Sequence, residues 1–458
     1  MASDSTNKKW PEFGPRLLQH FTFDPEYRNL NNGSFGSFPR HIQEERRYHQ
    51  DRENARPDDF IRYDVPRKLD GARAAVADLL KVHADTVVFE PNATNAANTI
   101  LRNLMWDDDG KDEILYFNSV YGSNGKTIDY LVDTHAGKLA SREIAITYPC
   151  EDEEIVAVFK AAVQQSRAEG KRPKICLYDA VSSLPGVRFP FEELTKACRE
   201  EGIISLLDGA QGIGMIDFDL GALDPDFFLT NCHKWLHVPR GCAVLYVPLR
   251  NQHLITSTTP TSHGYVPKTN KRFNPLPKSY KSAFIANFDF TGTTDRSTFL
   301  CVPSAIAWRR DILGGEERIM EYTQTLAQEG GKKAAEILGT EVLENRSGSM
   351  TKCSMTNVAL PLKFVTTATA VGGGTAGFSE GSENQELEIP IEDVSDAREW
   401  MMRALISDYN TYVVVYTYNN RFWVRISAQV YLDIGDFEWA GQILLELSKR
   451  VAKGEYKK

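Results

Sequence analysis

The sequence predicts an α/β protein: a large domain on a mostly parallel sheet, then a smaller C-terminal α/β domain. Three observations carry this expectation. Between residues 68 and 247, short apolar runs alternate with stretches of amphipathic helical spacing. Residues 248–295 are rich in Ser, Thr, Pro and Asn, as a loop region is. After a long helical region at 303–338, the tail returns to strand-like and helix-like segments.

In chain order, the apolar runs at 86–90, 113–117, 174–180, 203–207, 226–230 and 242–247 read as strands. Helical spacing fills 95–104, 152–169 and 191–200. Strand–helix alternation of this kind builds a sheet with helices on both faces, and ligands then bind beyond the carboxyl ends of the strands. In the tail, strands are expected near 353–360, 412–418 and 422–430, with helices near 395–408 and 436–451. The Gly-, Ser-, Thr- and Glu-rich stretch 366–386 reads as a surface loop. The expected division is an N-terminal segment 1–67 that contributes to the active site, a large domain 68–300 and a small domain 301–458.

The bulk numbers narrow the function classes. A chain of 458 residues with 42% apolar and 25% charged residues has ordinary enzyme composition. A formal net charge of −9 offers no basic surface for nucleic acid or an anionic membrane. The seven cysteines are odd in number and form no CxxC pair, so neither zinc nor any other metal is expected, and the compartment reads as reducing. The first residues are polar and no long apolar run follows, so the expectation is a cytoplasmic protein with no membrane span.

The strongest chemical signal lies between Ile203 and Val247. IISLLDGAQGIG ends an apolar run on Asp208 and places Gln211 one short turn later; TNCHKW then supplies His233 and Lys234. A lone Asp or Lys would read as a core strand end or an exposed loop residue. Together, in this order on consecutive crevice loops, they suit pyridoxal phosphate (PLP). Asp208 would keep the pyridine nitrogen protonated, Lys234 would carry the cofactor as a Schiff base, and Gln211 would donate to the phenolate oxygen. PNAT, following the run 86–90, opens a helix whose N-terminal amides attract anions, so Ala93 and Thr94 are candidate phosphate ligands.

These motifs, with NLNNGSFG near the start and WVRISAQVY near the end, resemble the class V branch of fold-type I PLP enzymes. Within it the chain is similar to the isopenicillin-N-epimerase-like proteins, and most of all to the fungal C–S lyases of ergothioneine synthesis, which cleave hercynylcysteine sulfoxide. The resemblance implies further roles. His233 would reach the phosphate. Gly292 and Thr293, in FTGT, would contact the phosphate of a neighbouring subunit, making the active unit a homodimer with shared sites. Tyr121 would stack on the cofactor ring and act as general acid for the leaving sulfur. Ser182 and Ser183 would line the crevice, and Ala180 stands where relatives often carry histidine. Arg425 would bind the substrate α-carboxylate through its planar fork. The relatives' NHGSFG reads NNGSFG here, so Asn32, which cannot exchange a proton near neutral pH, replaces a histidine at a candidate substrate-binding position.

The expected reaction is PLP-dependent β-elimination from an S-substituted cysteine or its sulfoxide, a small-molecule amino acid. Epimerisation or Mannich-type cyclisation in secondary metabolism uses the same cofactor. Cysteine desulfuration would need an exposed persulfide-forming cysteine, and no such loop is evident. A catalytically silent scaffold conflicts with the joint presence of Asp208, Lys234 and Arg425.

Overall fold

A computed structural model describes residues 10–270, 272–277, 279, 281–366 and 387–457. The surface loop expected at 366–386 lies, from residue 367 onward, outside the described residues. The chain forms two compact units. The first comprises Met1–Pro11, Gly33–Ser183 and Arg188–Met320, and the second Glu12–Asn32, Leu184–Val187 and Glu321–Lys458.

The first unit is built on seven strands: β1 (Val87–Glu90), β2 (Asp112–Phe117), β3 (Leu139–Ile144), β4 (Arg172–Asp179), β5 (Ile204–Asp208), β6 (Phe227–Asn231) and β7 (Ala243–Tyr246). Their order is β1-β7-β6-β5-β4-β2-β3. β7 runs antiparallel to both β1 and β6, and the other pairings are parallel. The predicted mostly parallel α/β class is therefore what forms. Six of these strands lie within two residues of the expected runs. β3 was not foreseen: its sequence LASREI is buried only at its two ends, so an edge position leaves little apolar signal.

Because β7 alone is reversed, β1, β2, β4, β5 and β6 all end at one edge of the sheet. That edge carries Glu90, Phe117, Asp179, Asp208 and Asn231. The helices that follow β1 and β2, Ala93–Asn103 and Gly122–Thr134, begin there. Ala96, Ile100 and Leu101 of the first are fully buried in one cluster with Leu206, Leu229 and Leu245 of the sheet. Each large aliphatic side chain buried in this way contributes about 1.5–3 kcal/mol, so the helix start is held firmly against the strand ends.

The helical region expected at 303–338 is two helices, Val302–Asp311 and Glu316–Leu338. Gly314 and Gly315 between them have φ of 92° and 97°, which no right-handed helix accommodates. The second unit holds β8 (Met355–Val365), β9 (Leu387–Pro390), β10 (Val414–Tyr418) and β11 (Arg421–Ser427), ordered β10-β11-β8-β9. β10 and β11 form a hairpin across Asn419 and Asn420, both at positive φ. Helices Val394–Tyr409 and Ile434–Ala452 complete this unit close to their expected positions. Among the described residues, no helix is long and apolar enough to cross a membrane.

Candidate active site

Asp208 is the last residue of β5 and only 1% exposed. Its carboxylate accepts from the Asn124 amide (2.7 Å) and from the backbone N–H of Ala210 (2.8 Å). Burial raises its pKa, while these donors and Lys234 pull it back. Asp179 ends β4, pairs in register with Asp208, and is 5% exposed. Burial and then the Asp208 charge push it well above the usual carboxylate range, with Lys234 opposing. Lys234 itself sits in the short helix Cys232–Trp235 that follows β6.

Two glycines let other segments approach the lysine's backbone. At Gly36 (φ 66°) a Cβ would lie 1.6 Å from the carbonyl oxygen of His233. At Gly214 (φ 81°) it would lie 2.6 Å from the carbonyl oxygen of Trp235. NNGSFG and DGAQGIG are thus glycine-bearing because backbone packs on backbone there. The fully buried Arg309 adds a clamp, donating to the carbonyl oxygens of Trp235 (2.7 Å) and Gly214 (2.9 Å) while Glu316 holds its other edge at 2.5–2.6 Å. Nothing in the sequence signalled that clamp.

These elements enclose a cavity of about 430 Å³ lined by Asp179, Asp208, Gln211, Lys234 and Tyr121, among others. Tyr121 precedes the helix Gly122–Thr134, and its ring centroid is 6.0 Å from the Lys234 Nζ. The Gln211 amide is oriented from both ends: Trp235 Nε1 donates to its oxygen (2.8 Å), and its nitrogen donates to the Gly33 carbonyl (2.8 Å). An indole N–H only donates, so the amide oxygen must face it, and one amide N–H is left over.

His233 Nδ1 lies 2.9 Å from the Cys242 carbonyl oxygen and 3.4 Å from the Cys242 backbone nitrogen; a carbonyl oxygen only accepts, so the shorter contact favours a proton on Nδ1. Burial depresses this imidazole to about 4, so it is neutral near pH 7. At the start of the helix Ala93–Asn103, Asn92 caps through Asn95 N–H (2.9 Å). The Ala93 N–H goes to Asn231 Oδ1 (2.9 Å), and Thr94 lines the cavity with its hydroxyl 2.9 Å from that of Ser123. Ser183 also lines the cavity, and Ser182 is fully buried beside it. Asp179, Asn124, Ser123 and Trp235 escaped the sequence reading. Asp179 alone had a usable signal, since it ends an apolar strand as Asp208 does.

Other expected site residues are not among those lining this cavity. Gly292 and Thr293 line a different cavity of about 450 Å³ in the first unit, together with Arg46, Arg240 and Arg296. Asn32 and Arg425 belong to the second unit, where both are buried. There Arg425 lies on β11 and donates to Asn31 Oδ1 (3.1 Å).

Residues 37–362 match the family described as aminotransferase class-V. The chain belongs to that family. Its cofactor is pyridoxal phosphate. Over 464 residues, 98% of this chain and 99% of the relative, it is 37% identical to the L-cysteine desulfhydrase-like protein lolT1 of Epichloe uncinata. It is 28% identical to the hercynylcysteine sulfoxide lyase of Schizosaccharomyces pombe, across 94% of this chain and 97% of the lyase. Among solved structures, the cystine C–S lyase C-DES shares the fold with a TM-score of 0.69 at 16% identity, covering 93% of this chain and 98% of that one.

The class-V site chemistry fits the cavity. Two buried carboxylates face one lysine, a combination short of positive charge that a protonated ring nitrogen complements. A helix first turn lines the same space, as a phosphate requires. Among the described residues, no cluster of His, Cys, Asp and Glu is arranged to hold a metal ion.

Proposed function

We propose that this protein is a PLP-dependent carbon–sulfur lyase that performs β-elimination on an S-substituted cysteine or its sulfoxide. The observation that carries the reading is the placing of an amine and a phenol, Lys234 and Tyr121, across one cavity next to a buried carboxylate. Bound pyridoxal phosphate supplies an electron-accepting ring that stabilises negative charge at the substrate Cα.

In this reading Lys234 would hold the cofactor through Nζ, and its amine would take the substrate Cα proton. Asp208 would keep the ring nitrogen protonated, and the spare N–H of Gln211 would donate to the phenolate oxygen. Thr94, through its hydroxyl and the first-turn amides, holds the phosphate. Ala93 contributes only its place in that turn, because its N–H is committed to Asn231. His233 joins the phosphate as a donor when the anion draws a proton onto Nε2. The Tyr121 hydroxyl protonates the sulfur as the Cβ–S bond breaks. The products are a thiol, or a sulfenic acid from a sulfoxide, with pyruvate and ammonium after hydrolysis. Arg425 binds the substrate carboxylate, Asn32 contributes to the substrate site, and Gly292 and Thr293 complete the phosphate site of the second protomer in a cytoplasmic homodimer.

The names of the two relatives above support C–S cleavage, and hercynylcysteine sulfoxide, the compound the second of them is named for, is the first substrate to test. The cysteines support it as well. Six of the seven are buried, and the partly exposed Cys150 has its thiol pushed up to about 11 by burial and by Glu154, Asp152 and Glu151. No thiol is thus suited to carry a persulfide.

The test is incubation of the yellow enzyme with cysteine, its S-conjugates and sulfoxides while pyruvate and ammonia are followed. A lyase releases both in equal amounts. Racemised or cyclised amino acid without pyruvate would transfer the assignment to an epimerase or cyclase.

A further inference from the structure

Asp179 and Asp208 end adjacent parallel strands at the same register level. Neighbouring strands run about 4.8 Å apart, so the two carboxyl groups leave the sheet side by side. Both line the cavity that holds Lys234. Both are at least nineteen-twentieths buried, at 5% and 1% exposure.

The two are not equivalent. Asp208 accepts the Asn124 amide and the Ala210 N–H, whereas among the described residues no hydrogen bond reaches the Asp179 side chain. Donors stabilise the ionised form, so Asp208 is the carboxylate and Asp179 the acid when one proton is shared. The other ionisable groups facing Asp179 are Lys234, which opposes its protonation, and the buried Tyr148 phenol, whose own ionisation the Asp179 charge disfavours. Two buried carboxylates on paired residues of adjacent strands hold a proton between them, as like-charged pairs do.

We propose that Asp179 is a proton-storing partner of Asp208: the empty protein keeps one proton on the pair and delivers it to the cofactor's ring nitrogen on binding. The Asp179 O–H bond breaks, a ring N–H bond forms, and the pair becomes two carboxylates facing a cation. No co-reactant is needed. This deepens the reading of Asp208 as the ring partner and rests on it.

The experiment is calorimetric titration of pyridoxal phosphate into empty wild-type protein, Asp179→Asn and Asp208→Asn, at pH 8 in buffers of differing ionisation enthalpy. The buffer dependence gives the protons taken up on binding. Any proton gained by His233 enters wild type and Asp179→Asn alike and cancels in their difference. Without the stored proton, Asp179→Asn should take up close to one proton more than wild type (about 0.5–1). Equal uptake by the two would overturn the proposal.

Asp208→Asn separates the two claims. It should bind at least about tenfold more weakly; unchanged affinity would remove Asp208 as ring partner whatever the proton counts. Should Asp179→Asn fail to fold, the wild-type infrared difference spectrum, loaded minus empty, decides alone. It should show loss of a protonated carboxyl band, and no such loss would overturn the proposal equally.

Discussion

The Tyr121 ring lies 6.0 Å, centroid to Nζ, from the lysine that follows the sixth strand, Lys234. At that range the phenol and the amine flank the same small volume. In the proposed elimination one of them would give a proton and the other take one.

Tyr121→Phe keeps the ring and deletes the proton. Its kcat should fall about 10²-fold or more with KM little changed, the usual size of a general-acid contribution. The defect should shrink for substrates with a less basic leaving thiolate. Equal defects across a leaving-group series would make Tyr121 a stacking residue only. Arg425→Ala should behave oppositely, raising KM first, because a carboxylate contact is made in ground and transition states alike.

Gly36→Ala tests the backbone contact that seats the lysine. The added methyl collides with the His233 carbonyl, and the φ of 66° is itself costly with a Cβ. Loss of about 1–3 kcal/mol in chemical denaturation is expected, together with weaker visible cofactor absorbance. A variant of wild-type stability and absorbance would show that the two segments part easily.

Glu90 gives a pH-dependent prediction. It is 2% exposed, accepts from the Thr99 hydroxyl (2.8 Å), and burial lifts it from 4.5 to about 7. The folded state therefore binds the proton more tightly than the unfolded chain. This group's stabilising contribution is complete below about pH 4.5 and is lost as the pH rises to about 7, a change of about 3 kcal/mol. Glu90→Gln keeps an acceptor for Thr99 and cannot ionise. Its thermal midpoint should match wild type at pH 5 and exceed it at pH 8. An equal midpoint at pH 8 would mean that Glu90 ionises without cost.

The proposed shared site is open to complementation. A Lys234→Ala protomer and a Thr293→Ala protomer are each expected to be impaired alone. Hybrids carrying one of each contain one site with both residues intact, and should regain part of the activity. No recovery in verified heterodimers, or full cofactor affinity in a verified monomer, would place both residues' roles within one chain.

Asp208, Lys234, Tyr121 and Thr94 were legible as crevice residues because each stands at or just past the end of an apolar strand, and strand-then-polar-turn is a local pattern that a chain carries in its own order. The α/β class followed from the same local alternation. Local pattern does not say which strands become neighbours. Asp179 meets Asp208 only because β4 is laid beside β5 in the sheet. Asn124 reaches Asp208 from a helix 84 residues away. Arg309 clamps the Trp235 carbonyl across 74 residues, and Gly36 closes on His233 although neither segment announces the other. Hydrophobic periodicity records which face of a strand is buried; pairing order is chosen by how all the buried faces fill one interior. The sequence by itself thus determined the fold class and which polar residues stand at the strand ends, while the neighbours that surround those residues were decided by tertiary packing.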